Sequence, residues 1–189
     1  MLKESVKEKL TKIVGENHLL DRKDQLLVYS YDATPNFQAM PDAVVKPGCT
    51  IEIQEIVKVA NEEKLPIAPR GSGTNLCAGT TPTAGGIVLL FTRMDQILEI
   101  EEDNLTVTVQ PGAVTLDLIN KVEEKGLFYP PDPSSMKIST IGGNINEGTG
   151  GLRGLKYGVT RDYVLGLETV LPNGEVIRTG GKHKRCSRV

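Results

Sequence analysis

The sequence predicts an α+β fold, and three observations predict it. Apolar residues recur at helical spacing in several separate stretches. Short apolar or alternating runs lie between them, and two pairs of these runs flank turn sequences, Asp103-Asn104 and Pro172-Asn173-Gly174. No regular strand–helix–strand repeat runs through the chain, so the strands read as pairs with helices packed against them.

Each element follows from its local pattern. Leu2, Val6, Leu10, Ile13 and Val14 recur at helical spacing, and Gly15 can stop that helix. Asp21 can cap a second helix carrying Leu26, Leu27 and Tyr29. Residues 34–41 contain two prolines and read as a connector. Ala43-Val44-Val45-Lys46 reads as a short strand and Pro47-Gly48 as a turn. Thr50 can cap a helix with Glu52 in its first turn and Ile53, Ile56, Val57 and Ala60 on one face. Residues 65–69 form a strand that delivers a glycine-rich loop. Gly86-Ile87-Val88-Leu89-Leu90-Phe91 is an apolar strand, and residues 97–101 and 105–109 alternate with period two as a hairpin. Leu116, Leu118, Ile119 and Val122 mark an amphipathic helix over residues 114–125, closed by Gly126. Pro130-Pro131-Asp132-Pro133-Ser134-Ser135 is a stiff extended loop. Residues 163–171 and 175–179 form a second hairpin.

Composition removes several function classes. A net charge of −2 gives no drive toward non-specific nucleic-acid binding, and 4% aromatics without tryptophan leave few stacking platforms. No apolar run reaches about 18 residues, so no membrane span is expected. The N-terminus is charged and amphipathic rather than a signal peptide. Cys49, Cys77 and Cys186 are odd in number and lack a paired spacing, which fits a reduced, cytoplasmic protein. His18 and His183 are too few and too far apart to argue for a metal site or a nucleophilic triad.

Two glycine-rich loops carry the functional signal. The first is Pro69-Arg70-Gly71-Ser72-Gly73-Thr74-Asn75-Leu76-Cys77-Ala78-Gly79. It begins like a dinucleotide fingerprint but lacks the third glycine, and Pro82 and Gly85 rule out a helix directly after it. No Gly-Lys-Ser/Thr ends the run, so it is not a P-loop. It reads as a main-chain nest for a pyrophosphate or as a Thr-rich surface loop. The second is Thr140-Ile141-Gly142-Gly143-Asn144-Ile145-Asn146-Glu147-Gly148-Thr149-Gly150-Gly151. Ser139 or Thr140 can cap a short helix there. Five glycines in twelve residues are too many for an ordinary packed helix, so a ligand or another backbone passes close, or the loop is a tight packing corner.

Taken in order with Pro131-Asp132-Pro133-Ser134-Ser135, Lys156-Tyr157-Gly158-Val159-Thr160-Arg161-Asp162-Tyr163-Val164-Leu165-Gly166-Leu167-Glu168 and Leu171-Pro172-Asn173-Gly174-Glu175, these loops resemble the FAD-binding (PCMH-type) domain of the vanillyl-alcohol oxidase superfamily. Within it the chain most resembles the group that holds the flavin-binding subunits of glycolate oxidase and the D-lactate dehydrogenases, over roughly residues 20–181. The resemblance implies two α+β subdomains with FAD extended between them, behind an N-terminal helical segment over residues 1–40. It implies that Pro69, Arg70, Gly71, Ser72, Gly73, Thr74, Asn75 and Leu76 wrap the pyrophosphate, chiefly through backbone N–H groups. Pro133 and Ser134 would line the flavin pocket. Thr140, Gly142, Gly143 and Asn144 would contact the pyrophosphate and nearby ribityl or flavin atoms, and Gly150 and Gly151 would let the chain pass the cofactor. The second hairpin would lie near the adenine half, with Val170 a weaker contact. The implied reaction is oxidation of a 2-hydroxy acid, D-lactate or glycolate, to the 2-oxo acid, with electrons passed to an acceptor such as an electron-transfer flavoprotein or an iron–sulfur subunit. Rival readings are a non-catalytic flavin-binding subunit and a UDP-N-acetylmuramate reductase-like flavoenzyme. The resemblance assigns no catalytic residue and no metal.

The chain departs from the family pattern in three ways. Gly148 stands in Glu147-Gly148-Thr149-Gly150-Gly151 where relatives often carry asparagine, which removes a side-chain amide. No histidine lies between His18 and His183, so FAD is expected to be held non-covalently. The FAD-binding domain, residues 41–189, is expected to be incomplete at its C-terminus and the substrate cap absent, because the ending His183-Lys184-Arg185-Cys186-Ser187-Arg188-Val189 does not resemble the family. A truncated or frameshifted reading frame, or a natural short subunit, would give this, and the chain alone is expected to be inactive. Among single residues, Arg70 reads equally as a phosphate-facing group and a surface ion pair. Cys77 reads as a small buried thiol, Tyr157 as a half-buried core residue, Asp162 as a local pair and residues 182–188 as a solvated charged end.

Overall fold

Val6, Leu10 and Val14 fall one turn apart and are buried on one face of α1 (Glu4–Val14). The computed structural model describes residues 2–181; Met1 and the charged run over residues 182–189, with His183 and Cys186, lie outside the described residues. Gly15 ends α1 at φ +86°, a conformation that favours glycine. β1 (Leu19–Leu20) and the short α2 (Lys23–Leu26) follow. Asp21 does not cap α2: the capping position is Arg22, with no side-chain cap, and the Asp21 carboxylate pairs with Lys7 at 2.8 Å. A cation on α1 takes the carboxylate that local sequence assigned to the helix end.

β2 (Ala43–Val45), α3 (Thr50–Glu63), β3 (Ile67–Arg70) and β4 (Ile87–Leu90) build the main sheet, in the order β1-β2-β4-β3. β2 and β3 both run parallel to β4, while β1 is antiparallel to β2. Thus α3 carries the chain across a gap that β4 later fills. Such a sheet needs cover on both faces, and its strands are accordingly apolar. Val45, Ile87 and Leu89 pack with Val6, Leu10, Ile53 and Ile56 of α1 and α3, whereas Val44 and Val88 pack with Leu26. Thr50 is the first helical residue rather than the cap, which is Cys49; its hydroxyl donates to Glu168 at 2.6 Å. Glu52 secures this helix start by accepting the Gly48 N–H at 2.7 Å.

A second packing unit follows. β5 (Ile97–Glu101) and β6 (Thr106–Val109) form the expected antiparallel hairpin, with one irregularity between Ile97 and Glu99. α4 (Thr115–Glu123) lays Leu118 and Val122 on its inner face, and Gly126 follows at φ +71°. Ile141 of α5 (Ile141–Glu147) completes that core. α6 (Gly154–Tyr157) is a single turn. The last hairpin, β7 (Gly166–Val170) and β8 (Val176–Gly180), lies against α3. It is held there by Gln54 donating to the Gly174 carbonyl at 2.8 Å and Asn61 donating to the Pro172 carbonyl at 2.6 Å. Val170 packs against the first core in this arrangement. Among the described residues, no helix is long and apolar enough to cross a membrane.

Candidate functional site

The first glycine loop leaves the end of β3 and runs irregularly to β4. Within the described residues, none of the main-chain N–H groups of residues 71–77 donates a hydrogen bond. Gly73 has φ +70° and Ala78 φ +55°, so the chain curls rather than extends. Successive main-chain N–H groups without protein partners are the donor type from which anion-binding nests are built.

What holds this curl is Asp32-Ala33-Thr34, just where the chain enters the segment that local sequence marked as a connector. Asp32 is only 8% exposed. Its Oδ1 accepts the Thr34 N–H at 2.9 Å. Its Oδ2 accepts from Asn75 Nδ2 at 2.9 Å, from the Thr80 hydroxyl at 3.1 Å and from the Thr81 hydroxyl at 3.2 Å. Alongside, the Ala33 N–H donates to the Gly73 carbonyl at 3.1 Å and the Ala78 N–H to the Thr34 hydroxyl at 2.7 Å. Sequence reasoning missed all of these partners. The available signal was Asp32-Ala33-Thr34, an Asx-turn pattern, facing the Thr-rich stretch Thr80-Thr81.

Burial works against ionisation of Asp32, but hydrogen bonds from Thr34, Asn75 and Thr80 outweigh it and hold the carboxyl well below the usual carboxylate range. A depressed carboxyl contributes stability that is present above its unfolded pKa, about 3.9, and is lost as pH falls below it. The stability gap between the parent chain and Asp32→Asn is therefore expected to narrow as pH is lowered from about 5 toward 2, by urea unfolding at each pH.

Arg70 closes the loop from beneath. The side chain is only 7% exposed, so it is not a surface ion pair. Its guanidinium lies over the Tyr29 ring at 5.7 Å and donates to the Thr80 hydroxyl at 3.2 Å. Burial lowers its pKa, and the Asp32 charge opposes that shift. A Cβ at Gly73 would sit 2.7 Å from Arg70 Cζ, so glycine lets the loop rest directly on the guanidinium.

The second loop uses its donors differently. Thr140 caps α5, its hydroxyl accepting the Gly143 N–H at 3.3 Å. The Ile141 N–H donates to Ala113 O at 2.9 Å and the Gly142 N–H to Pro111 O at 2.8 Å. A Cβ at Gly142 would sit 2.9 Å from that same Pro111 oxygen, and one at Gly151 would press on the Asp132 carbonyl. Another backbone does pass close, and it is the chain's own. The side chain of Asn144 is buried and donates to Thr115 Oγ1 at 2.7 Å, so its amide faces the core. Pro133 is buried and Ser134 exposed beside this wall. Asp132 ties that loop to the later segment by accepting the Arg153 N–H at 3.0 Å.

The two loops, distant in sequence, meet. A Cβ at Gly71 would overlap Thr140 Oγ1, the Ser72 hydroxyl donates to the Ile138 carbonyl, and Cys77 Sγ lies 3.3 Å from both Glu147 oxygens. Cys77 is exposed rather than buried, because this contact lies on the rim. Tyr157 packs edge-on to Phe128 at 5.6 Å, and Asp162 accepts the Val159 N–H at 2.8 Å, a local contact. No group of three or more metal-ligating side chains occurs among the described residues.

Residues 41–180 match the family profile described as FAD binding domain. The chain belongs to that family. The FAD binding domain here is 66% identical to the glycolate oxidase subunit GlcD of Bacillus subtilis (strain 168), over 96% of this chain and 39% of that protein. It is 41% identical to a D-lactate dehydrogenase of Archaeoglobus fulgidus, over 82% of this chain and 35% of that protein. The chain thus spans about two fifths or less of the curated relatives it matches. Among solved structures, p-cresol methylhydroxylase aligns over 93% of this chain and 35% of its own, with a TM-score of 0.80 and 26% identity. Alkyldihydroxyacetonephosphate synthase aligns over 95% of this chain and 34% of its own, with a TM-score of 0.84; at 21% identity that likeness speaks to the fold alone. The fold is therefore the PCMH-type α+β fold, and the cofactor class is FAD. The residues present fit that group: main-chain donors of residues 71–77 without partners among the described residues adjoin a second glycine loop at a junction too tight for a side chain.

The departure at Gly148 has a small structural cost. Gly148 caps α5 in the left-handed region, at φ +62°, and nothing lies within 4 Å of where its Cβ would be. Asparagine is the other residue that accepts this conformation readily. Gly148→Asn is expected to change stability by less than about 1 kcal/mol, measured by thermal melting.

Proposed function

We propose that this chain binds FAD non-covalently as the cofactor domain of a flavin-dependent dehydrogenase for 2-hydroxy acids of the D-lactate or glycolate type. The observation that carries the reading is the meeting of the two glycine loops beside the free N–H row of residues 71–77. Main-chain donors from Gly71 to Cys77 hold the pyrophosphate, with Pro69 and Arg70 supporting them from β3. Because the first N–H groups of α5 already have partners, Thr140, Gly142, Gly143 and Asn144 act as the opposing wall rather than as its main donors. Pro133 and Ser134 border the flavin end, and Gly150 and Gly151 give the chain a narrow path past it.

When bound, FAD supplies the hydride acceptor for converting the hydroxy acid to the oxo acid. The chain's own task is to bind and orient: an ordered nest neutralises phosphate charge without ordering long side chains. The reading draws its substrate class from the relatives named above and its non-covalent attachment from the lack of a histidine in either loop. Free thiols at Cys49 and Cys77 fit a reducing, cytoplasmic setting. We assign turnover to the full-length arrangement, and an electron-transfer flavoprotein or iron–sulfur subunit to the acceptor side. The isolated chain is expected to bind FAD without turning over substrate.

Titrating the purified chain with FAD tests this directly, by quenching of flavin fluorescence and release of the flavin on denaturation. Saturable, releasable binding is expected. A chain that takes up no flavin, even when refolded with FAD present, overturns the proposal. Anaerobic bleaching of the flavin by D-lactate or glycolate, in this chain and in a full-length relative, then tests the substrate class.

A further inference from the structure

We propose that Asp32 is the positioning residue for the pyrophosphate cradle: its buried carboxylate gathers Asn75, Thr80 and Thr81 and fixes the row of N–H groups over residues 71–77 before the cofactor arrives. This inference rests on the cofactor reading above. The cradle itself has few internal ties. Its donors are free, Leu76 and Cys77 are exposed, and Gly71 and Gly73 add conformational freedom. Much of its order comes from outside: beside the Ser72 contact to Ile138 and the Cys77 contact to Glu147, three adjacent residues contribute, Asp32 through three side chains of the loop, Ala33 at the Gly73 carbonyl, and Thr34 at the Ala78 N–H.

The splint is itself fixed. Buried Ser30 accepts Gln38 Nε2 at 2.9 Å, and its carbonyl accepts the Ala39 N–H at 2.8 Å, which closes residues 30–39 into a compact loop. A carboxylate beneath an anion site would repel the ligand if its charge stood alone. Here Arg70 lies buried under Gly73, and the Thr80 hydroxyl bridges them, accepting from Arg70 and lying within donor reach of Asp32. The two opposite charges offset each other, and the cradle is left to present main-chain dipoles to the phosphates. A carboxylate accepts at both oxygens, whereas an amide has one acceptor, so at this position its NH2 would meet either the Thr34 N–H or the donors gathered at Oδ2.

The test compares the parent chain with Asp32→Asn and with Thr81→Val, a milder change that removes one donor to Asp32. Affinities for FAD and for ADP, which carries the pyrophosphate without the flavin, are measured by titration, beside thermal melting. Asp32→Asn is expected to weaken both ligands by the same factor, about 30-fold, and Thr81→Val by about threefold. Val6→Ala, a core change in α1 away from the loops, is expected to lower the melting temperature while leaving both affinities within about twofold. If Asp32→Asn does not fold, Thr81→Val decides alone. Parent-like affinities in the variant that folds, or an FAD loss that ADP does not share, overturn the positioning role. A parent chain that binds neither ligand overturns the cofactor reading and this inference with it.

Discussion

Replacing Gly71 by alanine is expected to destabilise the chain by about 2–4 kcal/mol and to weaken FAD binding with it. The new Cβ would overlap Thr140 Oγ1 and approach Thr140 Cβ within 3.3 Å. Thr140 cannot turn away freely, because its hydroxyl caps α5 at the Gly143 N–H. Relief therefore requires either loss of the cap or separation of the two loops. The first costs about 1 kcal/mol. The second also breaks the Ser72 contact to Ile138 and the Cys77 contact to Glu147. Urea unfolding and FAD titration measure the two effects. A double-mutant cycle locates their origin: Gly71→Ala with Thr140→Ala is expected to be less damaging than the sum of the single changes, since the overlapping oxygen is gone. Additive losses would show that the junction is not where the strain arises.

The second large effect is expected at Gly86→Ala, about 3–5 kcal/mol of destabilisation. Gly86 has φ +78°, and its Cβ would overlap the Pro66 carbonyl and approach Pro66 Cδ within 2.9 Å. These atoms are backbone and ring, so no rotamer change removes the clash. The same Pro66 oxygen accepts the Ile87 N–H at 2.8 Å, and the Gly86 carbonyl accepts the Asp42 N–H at 2.8 Å. Gly86 thus sits where β2, β3 and β4 enter the sheet together, and a shift there moves the strand between the other two. Unfolding free energies from urea titration check this; a loss below about 1 kcal/mol would contradict it.

Both positions show what a sequence makes legible. Glycine content announced that something passes close to the second loop, periodicity located the first hairpin and the helices around Ile53 and Leu118, and the turn Pro172-Asn173-Gly174 located the second hairpin. The identity of the close neighbour was not legible, because Pro111 and Asp132 reach Gly142 and Gly151 through tertiary folding alone. The parallel pairing of β2 and β3 with β4 was hidden for the same reason: an apolar run states that a strand is buried, not which strand lies beside it. The resemblance placed the cofactor in the first loop, yet Asp32 was passed over. Apart from Thr34 its partners lie more than forty residues away, and residues 32–34 are too short a run to show a period that marks them as a splint.

The junction of Gly71 with Thr140 has a consequence for how the protein is maintained. The two loops are rooted in different cores, one built on the β1–β4 sheet and the other on β5, β6, α4 and α5. A ligand held across that seam acts as a rivet, and its free concentration becomes a term in the folding equilibrium. On the proposed assignment, FAD at 100 times its dissociation constant adds about 2.7 kcal/mol to the folded state. Flavin supply would then govern abundance as well as activity. On the same assignment, a chain synthesised without it would lack that contribution to its stability and would be cleared sooner.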